Sequence, residues 1–174
     1  MAGSKGKQKT ARDMVLSLAL IGIAALAVYF VAIPHDDHAP DLKRVDYQVE
    51  LIGARRAASY PVAAPAGLPD SWKATSVRYD AENQHWHLGY QTPDGQYVQL
   101  EQSTQRPTDF IDDASQGASA TKRTQTIGGR TWTHYTGGRY DALVLDGTHG
   151  STTVVAGTAS FDEMAKLAAA LKTG

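Results

Sequence analysis

The sequence predicts an α+β domain: an antiparallel sheet of about seven strands with helices packed on it and a helix at the C-terminus. A transmembrane helix precedes this domain. Three observations predict this. Residues Met14 to Ile33 are twenty positions without a charge. Between residues 74 and 156, short alternating runs are broken by turn signals such as Thr92-Pro93-Asp94-Gly95 and Gly128-Gly129. Hairpin-linked strands of this kind pair antiparallel. From Phe161 onward, apolar residues recur at helical spacing.

The apolar run comes first. As a helix rising ~1.5 Å per residue it is about 30 Å long, the thickness of a bilayer's hydrocarbon core. Lys5, Lys7, Lys9 and Arg12 precede it, and Asp36 and Asp37 follow it. Basic flanks stay in the cytoplasm, so residues 1–13 are expected inside and the domain outside the membrane. The run is longer than the apolar part of a secretion signal. Val31-Ala32-Ile33-Pro34 offers no clean cleavage site and Ala25-Leu26-Ala27 only a poor one, so the expectation is an uncleaved single-pass anchor. Tyr29 and Phe30 suit the outer interface. None of the small residues Ser17, Ala19, Gly22, Ala24, Ala25, Ala27 and Ala32 stands four from another, so no small-xxx-small dimer seam is expected.

Setting aside residues 1–33, with four basic residues and one acidic, leaves 13 basic against 17 acidic, a net −4. That balance argues against nucleic acid and against docking on anionic lipid. Cysteine is absent, which excludes disulfides and thiolate metal sites. The domain must be held by its core, which about 130 residues can supply.

Residues 34–44, polar with two prolines, read as a linker. His35, His38, Asp36 and Asp37 in it read as solvated rather than as a metal site. Residues 45–58 fit strand alternation and helical spacing alike. A short helix from about Val49 to Ser59 is favoured, stopped by Pro61. Residues 60–72 carry Pro61, Pro65 and Pro69, which argue against regular helix or sheet. Val62, Leu68 and Trp72 pin this strap to the core. Strands are expected at 74–79, 85–91 and 97–102, the last two joined by a type I turn. A helix from about Pro107 to Ala114 turns Phe110, Ile111 and Ala114 inward, with proline suited to its first turn. Strands at 124–127, 130–135, 140–145 and 152–156 form a second meander, with both Gly-Gly pairs as hairpin turns. Ser160 and Glu163 make a capping box for a final helix over 161–171.

Chemistry-bearing constellations are sparse. His85 and His87 flank Trp86 and share a face of a strand, so they could chelate a metal if Glu101 on the next strand came near. Two ligands are not a site, and the favoured reading has Trp86 in the core and both histidines toward solvent. His134, His149 and Ser151 offer no G-x-S-x-G context for a serine hydrolase. Asp112 and Asp113 are adjacent at the end of a short helix and read as solvated rather than as a glycosidase pair. The glycine pairs lack the spacing of a phosphate loop. Trp72, Trp86 and Trp132 sit on alternating patterns and read as core rather than as a sugar-stacking platform. No catalytic residue and no cofactor is assigned.

The order of motifs resembles an uncharacterised actinobacterial family of single-pass membrane proteins with an extracytoplasmic domain of unknown function. The likeness is carried by the N-terminal anchor, Tyr60-Pro61-Val62, Pro65 with Gly67-Leu68-Pro69 through Trp72, and Ala74-Thr75-Ser76. It continues in Trp86-His87-Leu88-Gly89-Tyr90, in Thr92-Pro93-Asp94-Gly95 through Leu100-Glu101-Gln102, and in Gly157-Thr158-Ala159. The resemblance supports the topology and implies no catalytic residues. The expectation is a non-enzymatic module, tethered by residues 14–33 to the bilayer, that meets an envelope protein or polymer. An envelope-polymer hydrolase and a small-ligand carrier are the alternatives.

Overall fold

A computed structural model describes residues 13–23, 43–148 and 150–173. The chain divides into two compact units, residues 1–41 and 42–174. In the first, residues 13–23 form a helix, α1, whose side chains are exposed. Among the described residues no helix is long and apolar enough to cross a membrane. The expected span is described only over its first half. Residues 24–33, with Tyr29 and Phe30, lie outside the described residues, as do the basic tail 1–12 and the histidines and aspartates of the linker.

The second unit is an α+β domain. Its elements are α2 (Gln48–Ala57), β1 (Ala63–Pro65), β2 (Lys73–Asp80), β3 (His85–Gln91), β4 (Tyr97–Ser103), α3 (Pro107–Ser115), β5 (Ser119–Ile127), β6 (Arg130–Thr136), β7 (Asp141–Thr148), β8 (Ser151–Gly157), α4 (Phe161–Ala170) and β9 (Leu171–Thr173). Seven strands make one antiparallel sheet in the order β2-β3-β4-β8-β7-β6-β5. After β4 the chain crosses through α3 to the far edge and returns strand by strand, so β8 closes the sheet against β4.

The two faces of the sheet differ. On one, Trp86, Leu88, Leu100, Trp132, Leu143 and Val155 are fully buried. Leu51 and Ala54 of α2 and Met164, Leu167 and Ala168 of α4 cover them. On the other, α3 lays Phe110, Ile111 and Ala114 over Ala142, Val144, Val154 and Ala156. That second core spans β7 and β8 only. The β2-β3-β4 half of this face carries polar side chains instead.

Local chemistry explains most boundaries. Ser160 Oγ accepts from the Glu163 amide and the Glu163 carboxylate accepts from the Ser160 amide, completing the capping box of α4. Pro107 opens α3. The Gly95 amide donates to the Thr92 carbonyl at 2.9 Å, closing the turn before β4. Gly128 and Gly129 both have positive φ (58° and 75°), as a two-residue hairpin turn requires.

Four expectations are corrected. The prolines of the strap do not exclude sheet: Ala63–Pro65 pairs with Leu171–Thr173. This pair is a separate two-stranded sheet, where a proline without an amide is tolerated. Leu171 therefore opens a strand and does not end a helix. The strand expected at 124–127 begins at Ser119, paired with Thr136. The expected turn at Gly137-Gly138 does join β6 to β7, and a Cβ at Gly138 would lie 2.4 Å from the Ala118 amide nitrogen. Glycine is needed there because two stretches of backbone touch. In β2 a bulge between Ala74 and Ser76 breaks the expected alternation. It moves Ala74, which alternation places with Ser76 and Arg78, into the main core beside Val77, while Ser76 and Arg78 share the polar face as expected.

His134 is 2 % exposed, and neither ring nitrogen has a hydrogen-bond partner. Its ring lies 4.2 Å from that of Phe161. Burial, reinforced by the charge of Arg123, lowers its pKa from 6.5 against an opposing pull from Asp141. The unfolded chain then binds a proton that the folded one excludes. Stability contributed by neutral His134 is full above about pH 6.5 and drains away as pH falls below it. His134→Leu is expected to flatten the melting-temperature profile between about pH 6.5 and 5; an unchanged slope contradicts this reading.

Candidate functional site

The polar half-face is built from three adjacent strands in register. Arg78 pairs with His87 and His87 with Glu101; Ser76 pairs with Gly89 and Gly89 with Gln99. With alternation across each strand, Ser76, Arg78, His85, His87, Gln99 and Glu101 all project from one side. Asp80, opposite His85, joins them.

Glu101 is the centre. It is 5 % exposed. His85 Nε2 lies 2.5 Å from one carboxylate oxygen and His87 Nδ1 lies 2.7 Å from the other. Burial is the largest single influence on the carboxyl and opposes ionisation. The hydrogen bonds and charges of His85 and His87 together outweigh it and hold the pKa below 4.5. Glu101 is therefore an acceptor at neutral pH, and both facing ring nitrogens must donate.

The second nitrogen of His87, Nε2, lies 2.8 Å from Ser76 Oγ. A neutral His87 protonated at Nδ1 accepts there, so the Ser76 hydroxyl donates to it. Ser76 reaches His87 by leaning over Gly89. A Cβ at Gly89 would lie 2.3 Å from Ser76 Oγ and 3.1 Å from the Tyr97 hydroxyl oxygen. The Tyr97 hydroxyl donates to Gln99 Oε1 at 2.9 Å. Burial first, then the charges of Glu101 and Tyr140, push its pKa up to about 12, with the neighbouring Ser76 pulling the other way. It keeps its proton and remains a donor.

Two clefts adjoin at His85. One, of about 410 Å³, is lined by Ser76, Arg78, Asp80, His85 and His87. The other, of about 300 Å³, lies toward α3 and is lined by Gln99, Glu101, Gln105, Asp113 and Gln116 beside Phe110. The Gln99 amide donates to the Ala114 carbonyl at 2.8 Å and ties α3 to the sheet. His85 packs edge-on against Phe110, with centroids 5.4 Å apart.

The three metal candidates thus meet: Trp86 is in the core, and both histidines stand partly exposed on the open face with Glu101 buried between them. Each imidazole turns a nitrogen to the carboxylate, not to a shared external point. Among the described residues no group of three or more histidines and carboxylates is arranged to hold a metal ion. His134 is on the opposite face, Ser151 is buried in β8, and His149 lies outside the described residues. Trp72, Trp86 and Trp132 are core residues. Asp112 is exposed, as expected, whereas exposed Asp113 edges the second cleft. Ser76 was missed. Its signal was the hydroxyl two positions before Arg78 on a strand that pairs with the His-Trp-His run.

Fold and site define a class: an α+β domain with a buried carboxylate, flanked by two histidines, on the half of a sheet face that its helices leave open. The chain matches the family described as Protein of unknown function (DUF4245) over residues 7–171, and it belongs to that family. No curated protein matches it, and no solved structure does.

Proposed function

We propose that this protein is a binding module tethered to the cell membrane through residues 14–33, with its domain outside, and that it holds a polar component of the envelope on the open half of the sheet. The observation that carries the reading is the pair of clefts sharing His85 as a common wall, both lined with hydrogen-bonding side chains. Amides, carboxylates, imidazoles and a guanidinium side by side suit a ligand rich in hydroxyl or amide groups, such as a glycan or a peptide stem. Large apolar side chains of the domain are exposed only at Val49 and Ile52 of α2 among the described residues, a small patch for a protein partner. The charge-free run and the basic residues that precede it support the tether.

The test is chemical-shift mapping of the full chain in nanodiscs, titrated with solubilised envelope glycan and peptide-stem fragments. Shifts centred on His85, Gln99, Gln105 and Gln116 are expected. Shifts confined to α2, or saturable binding without any change at these residues, would overturn the assignment of the surface.

A further inference from the structure

We infer that Ser76 is a nucleophile toward acyl esters, with His87 as its general base and Glu101 as the group that orients His87. This goes beyond binding, and departs from the expectation of a module without chemistry. It rests on the reading that the cleft beside Ser76 receives the ligand.

The argument is one of connectivity. A hydroxyl is a weak nucleophile until a base takes its proton as it attacks. The base needs one nitrogen free to accept and the other held as a donor by a carboxylate. Ser76 Oγ, His87 Nε2, His87 Nδ1 and Glu101 Oε1 follow in that order at 2.8 Å and 2.7 Å, on three neighbouring strands. Three further features fit the role. Glu101 is buried and ionised, so it fixes the His87 tautomer and stabilises the imidazolium formed during attack. Ser76 is half-buried on the wall of the larger cleft, so an ester can reach it. Gly89 leaves room for Ser76 to lean toward His87, since a Cβ there would lie 2.3 Å from Ser76 Oγ.

The step balances with water as co-reactant. Ser76 Oγ bonds to the acyl carbon while its proton passes to His87 Nε2. The tetrahedral adduct collapses, the ester C–O bond breaks, and the leaving alcohol takes the proton from His87. Water then attacks the acyl-serine as His87 Nε2 takes its proton, the bond from Ser76 Oγ to the acyl carbon breaks, Ser76 recovers the proton from His87, and the carboxylic acid departs. The substrate class is a carboxylic ester on the polar ligand of the cleft.

The test is labelling of the full chain in detergent with a fluorophosphonate, read by intact mass and peptide mapping. One adduct at Ser76 is expected, absent in Ser76→Ala. His87→Gln is expected to slow labelling ~10²-fold or more. Gly89→Ala, which turns Ser76 away, is expected to slow it comparably. Thermal melts of each variant verify that the fold persists. No adduct on the folded wild type overturns the inference, as does an adduct that survives Ser76→Ala or a rate indifferent to His87→Gln. The probe needs no envelope ligand, so this result stands apart from the mapping of the binding surface.

Discussion

Trp86→Ala is expected to destabilise the domain by about 3–5 kcal/mol, the range for emptying a buried aromatic site. Trp86 is 0 % exposed and is among the largest fully buried side chains. It sits at the middle of the main core, between the sheet and the strap that carries β1. Its indole nitrogen donates to the Ala63 carbonyl at 3.0 Å, so it anchors the strap as well as filling space. Removing it leaves a cavity that the sheet, held by ladders on both sides of β3, cannot close. For a domain of this size the melting temperature should fall by roughly 10–20 °C. Trp86→Phe keeps most of the apolar area but takes the donor from Ala63, and is expected to cost about 1–3 kcal/mol. Calorimetry of both variants checks this. A loss under about 1 kcal/mol for the alanine variant would show that Trp86 is not where the main core is anchored.

Gly157→Ala is expected to cost about 3 kcal/mol or more, because the clash is with backbone alone. An added Cβ would lie 2.1 Å from the Tyr97 carbonyl oxygen and 2.8 Å from the Val98 Cα. Side chains can rotate away from an intruder, whereas two paired strands can only separate. The Tyr97 carbonyl also accepts from the Thr158 and Ala159 amides at 2.9 Å and 3.2 Å, so these bonds strain together. Gly53 provides the control. It lies inside α2, and a Cβ there meets nothing within 4 Å. Gly53→Ala is expected to stabilise by about 0.5–1 kcal/mol through helix propensity. Urea unfolding of the two variants should move in opposite directions. A neutral Gly157→Ala would contradict the close approach of β4 and β8.

Both effects bear on what could be read in advance. Most of the seven strands were legible because alternation is joined to turns whose chemistry is local, Pro93 and Gly95 or Gly128 and Gly129; β5 was legible only from Thr124 and β2 without its bulge. The last helix was legible from Ser160 and Glu163. The strap strand was not, since Ala63–Pro65 is made a strand only by Leu171–Thr173, more than a hundred residues away. The closure of β8 on β4 is equally non-local. The site was half legible. Alternation placed His85 and His87 on one face and allowed Glu101 beside them. Ser76 escaped because its partner His87 lies on the next strand, and the register between them is set by the bulge after Ala74, which leaves little trace in a single sequence. The orientation of the imidazoles escaped too: a histidine on an open face reads as solvated until the buried carboxylate opposite it is seen.

The central claim is that Glu101, ionised and buried, holds His85 and His87 in fixed tautomers with Ser76 at the far nitrogen of His87. Long-range ¹⁵N–¹H correlation of the imidazole rings at mildly alkaline pH reads this directly. The account predicts the proton on Nδ1 of His87 and on Nε2 of His85, both patterns collapsing toward the mixed form of free histidine in Glu101→Gln. His87 protonated at Nε2 in the wild-type chain, or rings that do not respond to Glu101→Gln, would contradict it.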